Sequence, residues 1–444
     1  MRHWPLRWFR FASRAGRRLD ERFTPCGKWL LSTAGFAGVF GADPERTHAW
    51  LMFTSTVALL AVSLFASRLW RPRLSARRLL PPHVTALAPA SYVIAVHNEG
   101  DAREQGIIVV DRLRDAWPSA ASLAADTAAG GGDNWFDRRV GFRRWQRLCR
   151  HLRGALLAPL DLAELPPRTE TRVTTTVTPL RCGWLEFDRL LVKKPDPLGL
   201  CYAIRELPLT DRVLARPRCV PVGHLALPAA PMADAAQTPS RTRGDGQEFF
   251  ALRDYRPGDP LRHVDWRAFA RRRQPVVRQF AAPAARPPLL LLDASAAPGR
   301  AEDFEALLTI AASLLSSPQS QAAMTLAIVR GPDLPAEVAA GADALDCLAL
   351  LEPATGDLLD SCAAALASAA GRRPVLFLTA QWDARRVALA RALDAWPALA
   401  IVACDSRAVG DACARALVLR DGARSLPSLA GGLAALFPAA AGAR

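Results

Sequence analysis

The chain has 444 residues, half of them hydrophobic, which gives material for about three domains and excludes a wholly disordered protein. Lys and Arg number 57 against 42 Asp and Glu, a formal charge of +15 that excludes an acidic surface and suggests nucleic acid, anionic lipid or an acidic protein as neighbour. The nine scattered cysteines form no C-x-x-C pair and the seven histidines no H-E-x-x-H, so a disulfide framework, a zinc ribbon and a metalloprotease-type site are not expected.

Residues 1–28 are a basic segment with eight cations against Asp20 and Glu21. The uncharged run from Ala49 to Ser67 is long enough for a helix to cross a hydrocarbon core of about 30 Å. The run Trp29 to Ala42 is shorter and holds three glycines, so it spans only with help from its flanks or a thinned bilayer; a helix lying in the interface is its alternative. Arg68, Arg71, Arg73, Arg77 and Arg78 follow without an acid. Positive charge on both outer sides predicts a transmembrane helical hairpin over residues 29–67, with both termini and the bulk of the chain cytoplasmic.

Residues 79–216 read as a small antiparallel β-sandwich, from the β-branched runs Ser91–His97, Gly106–Val110, Thr171–Val177 and Leu185–Val192. A basic helical insertion is expected near residues 136–158, where Trp145, Leu148, Cys149, Leu152 and Leu156 share one face among Arg138, Arg139, Arg143, Arg144, Arg147, Arg150 and Arg153. Such a helix either lies on an anionic leaflet or grips an acidic partner, or it packs its apolar side on the sandwich. Residues 217–240, rich in Pro and Ala, form a linker.

Within residues 241–285, cations and acids alternate around Pro257-Gly258, a type II turn pair, and Asp265 is placed to N-cap a helix over Arg267 to Arg271. Two roles are open: an Arg/Asp network that docks neighbouring modules, or a hydrolytic enzyme using Asp254, Asp259 and Asp265 as paired carboxylates. The arginine neighbours, which hold carboxylates ionised and occupied, favour architecture.

From residue 286 to 440, apolar runs at Pro287–Asp293, Met324–Val329, Pro374–Leu378, Ala398–Cys404 and Ala416–Leu419 alternate with helical patterns such as Glu302–Leu315 and Arg385–Ala395. This alternation predicts a doubly wound α/β sheet, with Asp293 at the carboxyl end of its first strand, where such sheets bind ligands. The whole chain is thus expected to be α+β and multidomain.

The residues Arg253-Asp254-Tyr255, Pro257-Gly258-Asp259, Arg262, Asp265-Trp266 and Ala270-Arg271 closely resemble the signature of the bacterial domain-of-unknown-function fifty-eight family. Arg181 and Gly183, followed by Asp196-Pro197-Leu198-Gly199-Leu200, resemble its second marker, and the amino-terminal hairpin resembles its anchor. Asp293-Ala294-Ser295-Ala296-Ala297 resembles the D-x-S-x-S loop of the von Willebrand factor A fold, which the family resemblance implies for the carboxy-terminal domain. In that fold two hydroxyls and a carboxylate coordinate Mg²⁺. Here Ala297 has no side-chain oxygen and Leu378-Thr379-Ala380-Gln381 lacks a carboxylate, which leaves Asp293, Ser295 and Thr379 as a degenerate metal site with Mg²⁺ disfavoured and no other cofactor expected.

The resemblance implies a scaffold in the bacterial inner membrane that recruits an AAA+ ATPase of the MoxR class. No G-x-x-x-x-G-K-[ST] and no recognisable catalytic constellation occur, so the chain is not expected to be an ATPase or another enzyme; the hydrolytic reading of the central aspartates is the alternative. Nucleic-acid binding is not expected, because no recognised module occurs and the central arginines alternate with acids.

Overall fold

The structure, a computed structural model, describes residues 4–40, 47–125, 141–220, 243–256, 264–272, 274–281, 288–295, 301–316, 324–331, 333, 336–354, 358–369, 375–381, 384–386, 388, 398–402 and 416–418. The chain divides into two compact units, Met1–Arg218 and Cys219–Arg444.

The first unit begins with three helices, α1 (Trp4–Arg22), α2 (Pro25–Phe40) and α3 (Thr47–Leu69). Among the described residues one helical stretch, Trp50–Leu69, is long and apolar enough to cross a membrane; α2, with 16 residues, is shorter. The two pack antiparallel, with Gly38 near the end of α2 against the Phe53 ring near the start of α3.

Nine strands then form two facing sheets. One has the order β1 (Leu74–Leu79), β3 (Ala90–Asn98), β7 (Glu170–Pro179) and β5 (Ala155–Leu157), all antiparallel. The other has the order β2 (His83–Thr85), β9 (Tyr202–Arg216), β8 (Gly183–Pro195), β4 (Glu104–Leu113) and β6 (Leu160–Leu165), with β2 the parallel edge. Alternate residues of both sheets, such as Ile94 and Val96 from one and Val109, Leu185 and Leu190 from the other, fill a common core. That alternation is the period-2 pattern of strands buried on one face. Two short helices, α4 (Ala120–Ala125) and α5 (Phe142–Arg153), lie between β4 and β5. Gly154, at φ 82°, ends α5 in a left-handed cap, so Leu156 leaves the helix for β5, where it is exposed.

In the second unit β10 (Arg243–Asp254) and β11 (Val276–Ala281) pair antiparallel, with α6 (Trp266–Arg272) between them in sequence. A separate six-stranded sheet has the order β14 (Glu337–Ala339), β13 (Thr325–Val329), β12 (Leu289–Asp293), β15 (Val375–Thr379), β16 (Ala398–Val402) and β17 (Ala416–Val418). It is parallel throughout except for the edge strand β14. Every residue of β12 and β15 is buried, which explains runs as uniformly apolar as Leu-Leu-Leu-Leu. The helices α7 (Ala301–Leu315), α8 (Ala342–Ala349) and α9 (Leu359–Ala369) alternate with these strands in sequence, and α7 is buried nearly all round.

Candidate functional site

The three residues of the degenerate metal site converge. Asp293 ends β12, Ser295 follows it and Thr379 ends the adjacent parallel strand β15, so the register places all three at the carboxyl end of the two central strands. All three are fully buried. The Ser295 hydroxyl donates to Asp293 Oδ1 at 2.6 Å, the Ser295 backbone N–H donates to the same oxygen at 2.9 Å, and the Thr379 hydroxyl donates to Oδ2 at 3.0 Å.

A fourth member, Arg386 from the helical turn at residues 384–386, completes the cluster. Its Nε and Nη2 donate to Asp293 Oδ2 at 3.2 and 3.1 Å, and Nη2 also donates to Ser295 Oγ at 2.9 Å. Its side chain is as buried as the carboxylate it meets. A divalent cation needs oxygens turned toward it, and the guanidinium N–H groups already take those of Asp293 and Ser295. As arranged, these residues do not fit a metal ion, because the positive charge beside Asp293 belongs to the chain itself. Ala297 lies outside the described residues.

The central signature is only partly described, with Pro257, Gly258, Asp259 and Arg262 outside the described residues. Arg253 and Asp254 lie in β10, where Arg253 pairs with Val277 and Asp254 with Val276. Val264 bridges Val277 from the other edge of β11, and the Asp265 N–H donates to the Val276 carbonyl at 2.9 Å. Asp254 and Asp265 therefore flank β11 on opposite sides. The Asp265 carboxylate accepts from the N–H groups of Arg267 at 3.1 Å and Ala268 at 3.0 Å, an N-cap on α6. The Tyr255 N–H donates to the Pro275 carbonyl, while Trp266, Arg267 and Arg271 are exposed.

The second marker joins the helices to the sandwich. Asp196, in the turn between β8 and β9, accepts the N–H groups of Leu200 and Cys201 on Oδ1 at 2.8 and 2.7 Å, and that of Leu198 on Oδ2 at 3.1 Å. Oδ2 also accepts the hydroxyl of Ser63, a fully buried residue of α3, at 2.8 Å. The same turn receives the start of α2. The Thr24 hydroxyl donates to the Gly199 carbonyl at 2.6 Å, the Thr24 N–H donates to that of Leu200 at 3.0 Å, and a Cβ at Gly27 would stand 1.9 Å from the Leu200 oxygen. Arg181 donates to the Leu152 carbonyl at 3.2 Å and so caps the end of α5.

Two features were not anticipated. Arg78 is buried between the sheets, where Nη2 and Nε meet the two oxygens of Asp111 at 2.7 and 2.9 Å and Nη1 meets Asp211 at 2.5 Å. The Tyr92 hydroxyl donates to Asp111 at 2.8 Å, and burial first, then the Asp111 charge, raises its pKa far above the ordinary tyrosine value. Arg77 pairs with Glu170 at 2.9 Å, so two of the five cations that follow the apolar run of α3 serve the sandwich. Strand alternation was the available signal, since Leu74, Ala76 and Arg78 share one face of β1 and Val109, Asp111 and Leu113 one face of β4.

The second feature is the cover on the basic helix. Trp145 of α5 is fully buried against Phe9 of α1, with ring centroids 5.8 Å apart, and stacks on Trp117 at 6.0 Å; its indole N–H donates to the Ser13 hydroxyl at 3.0 Å. The buried residues of α5, Trp145 and Cys149, pack with Leu6 and Phe9 of α1 and with Trp117 and Leu123. Arg138 and Arg139 lie outside the described residues.

Comparison with known proteins adds one informative match. No curated protein matches the chain. Solved structures similar in part include the CARDB domain of PF1109 from Pyrococcus furiosus, with 14% identity, 31% of this chain, 94% of that chain and a TM-score of 0.15. They also include the ASH / PapD-like domain of human CEP192, with 10% identity, 32% of this chain, 87% of that chain and a TM-score of 0.18; scores this low carry no argument. Residues 251–338, which run from the central motif through Asp293 and Ser295 but stop short of Thr379 and Arg386, match the family described as protein of unknown function DUF58, and this match supports placing the chain in that family.

Proposed function

We propose that the protein is a membrane-anchored cytoplasmic scaffold whose carboxy-terminal α/β unit, von Willebrand factor A-like and independent of metal, recruits a protein partner. On this reading α2 and α3 form the hairpin anchor in a bacterial inner membrane, with both termini in the cytoplasm. The observation that carries it is the clasp at Asp196. An apolar helix with Leu51, Val62 and Phe65 exposed on its outer side is tied through Ser63 to a folded β module, which fixes the module at the membrane instead of leaving it on a tether. The family resemblance points to an AAA+ ATPase of the MoxR class as the partner.

Two observations favour the scaffold over a hydrolase. The Asp293 carboxylate is neutralised by Arg386, and the Asp265 carboxylate is occupied by the first N–H groups of α6. A general base needs a lone pair directed at substrate. The test is a pulldown from detergent extracts with the full chain and with a chain lacking residues 219–444. The scaffold reading expects an AAA+ protein with the first only, and it is refuted if none is recovered or if the truncated chain recovers it equally. A hydrolytic role would appear as activity lost in Asp259→Ala and Asp265→Ala with thermal unfolding unchanged.

A further inference from the structure

At the foot of α3 the chain builds an open cleft of about 640 Å³ whose lining includes Arg22, Arg68, Arg71, Arg73 and Arg205, against the single acid Glu99. The five arginines come from the end of α1, the end of α3, the segment leading into β1, and β9. Among the described residues none of the five guanidinium groups has a carboxylate within ion-pair distance, unlike Arg77, Arg78, Arg112, Arg114 and Arg189 of the same unit. One wall is Trp70, whose indole N–H donates to Glu104 at 3.0 Å; that carboxylate also takes the Lys194 ammonium at 2.7 Å. Tyr202 adds a second aromatic wall. A neighbouring cleft of about 590 Å³ has six arginines, Arg22 among them, but Glu21, Asp115, Asp188 and Glu206 line it too, and its Arg17 and Arg112 are already paired with Asp115 and Glu21. The first cleft therefore concentrates unneutralised positive charge.

Its position identifies the ligand. Ser63 is held to Asp196, so the last turns of α3 lie against the β module and mark the headgroup level of a bilayer that α3 enters, and the cleft opens there, from Ser67 onward. Phe65 and Leu69 of the same end of α3 are exposed. Clustered arginines next to a membrane helix, walled by aromatic rings, fit an anionic headgroup. We propose that this cleft binds the phosphodiester headgroup of an anionic phospholipid, with the arginines as its ligands. The assignment rests on the reading of α3 as a membrane span.

The full chain in detergent, titrated with phosphatidylglycerol, phosphatidylcholine or inorganic phosphate and read by native mass spectrometry, provides the test. Phosphatidylglycerol is expected to bind in preference to phosphatidylcholine, and the combined variant Arg68→Gln, Arg71→Gln, Arg205→Gln to weaken it by about a hundredfold, since each arginine at an anionic surface contributes about fivefold. A control with Arg103→Gln, Arg114→Gln and Arg172→Gln removes the same charge outside the cleft and is expected to leave binding unchanged. Equal binding of the two lipids, an unaffected cleft variant, an equal loss in the control, or displacement of the lipid by millimolar inorganic phosphate overturns the proposal. Carbonate washing of membranes reads the anchor separately. Release of the wild-type chain sinks the span itself, whereas retention without lipid preference sinks only the headgroup site.

Discussion

Arg386→Met tests whether the chain itself supplies the positive charge at Asp293. The substitution removes the guanidinium contacts to Asp293 Oδ2 and Ser295 Oγ and leaves a fully buried carboxylate with only the Ser295 N–H and the two hydroxyls. Breaking a buried pair by removing one partner destabilises by about 3–5 kcal/mol. In a unit of this size each kcal/mol shifts Tm by about 2–4 °C, so a fall of roughly 6–20 °C is expected. Calorimetry of the full chain in detergent gives the value, and hydrogen exchange at β12 identifies which transition moved. The double variant Asp293→Asn, Arg386→Met removes both charges and should recover most of the loss, because replacing a whole buried pair is close to neutral. Millimolar Mg²⁺ should leave the wild-type Tm in place, since a ligand stabilises only a state that binds it. A shift below about 2 °C in the single variant, a double variant no better than the single, or a wild-type chain stabilised by Mg²⁺ would refute the reasoning.

Three further perturbations probe the first unit. Asp196→Ala strips acceptors from three backbone N–H groups and from Ser63, and should cost roughly 3 kcal/mol, seen as faster hydrogen exchange at the start of α2 and around Ser63; Asp188→Ala, which removes a partly exposed pair with Arg189, is the control. Trp145→Ala should cost about 3–5 kcal/mol in the contact between α1 and α5 and open Arg143, Arg147 and Arg150 to trypsin; an unchanged digestion pattern counts against the docked helix. Tyr92 gives a pH signature. Its folded pKa lies above the unfolded value of 10.0, so its stabilising contribution is complete below pH 10 and is lost as pH rises beyond it. Ultraviolet titration of the three tyrosines should show one that ionises only as the fold is lost, and Tyr92→Phe should remove that step; three tyrosines titrating together near pH 10 would contradict the buried Asp111 contact.

Local pattern was enough for the elements whose residues are buried uniformly or alternately. The apolar stretch in α3, the period-2 strands of the sandwich, the all-apolar β12 and β15 and the Asp265 cap are each fixed by side chains within a few positions of one another, so their spacing is visible along the chain. The convergence of Asp293 and Ser295 with Thr379, 86 residues away, was expected only through the resemblance to the von Willebrand factor A loop, and it is the pairing of adjacent parallel strands that brings them together. Which charges are neutralised was a matter for the tertiary structure alone. Arg78 meets Asp111 33 residues away, Ser63 meets Asp196 across 133, and Arg386 meets Asp293 across 93. Electrostatic pairing depends on distance in space and on burial rather than on order in sequence. A count of +15 therefore could not separate the arginines that hold the fold together from those, at the foot of α3, that remain available to a ligand.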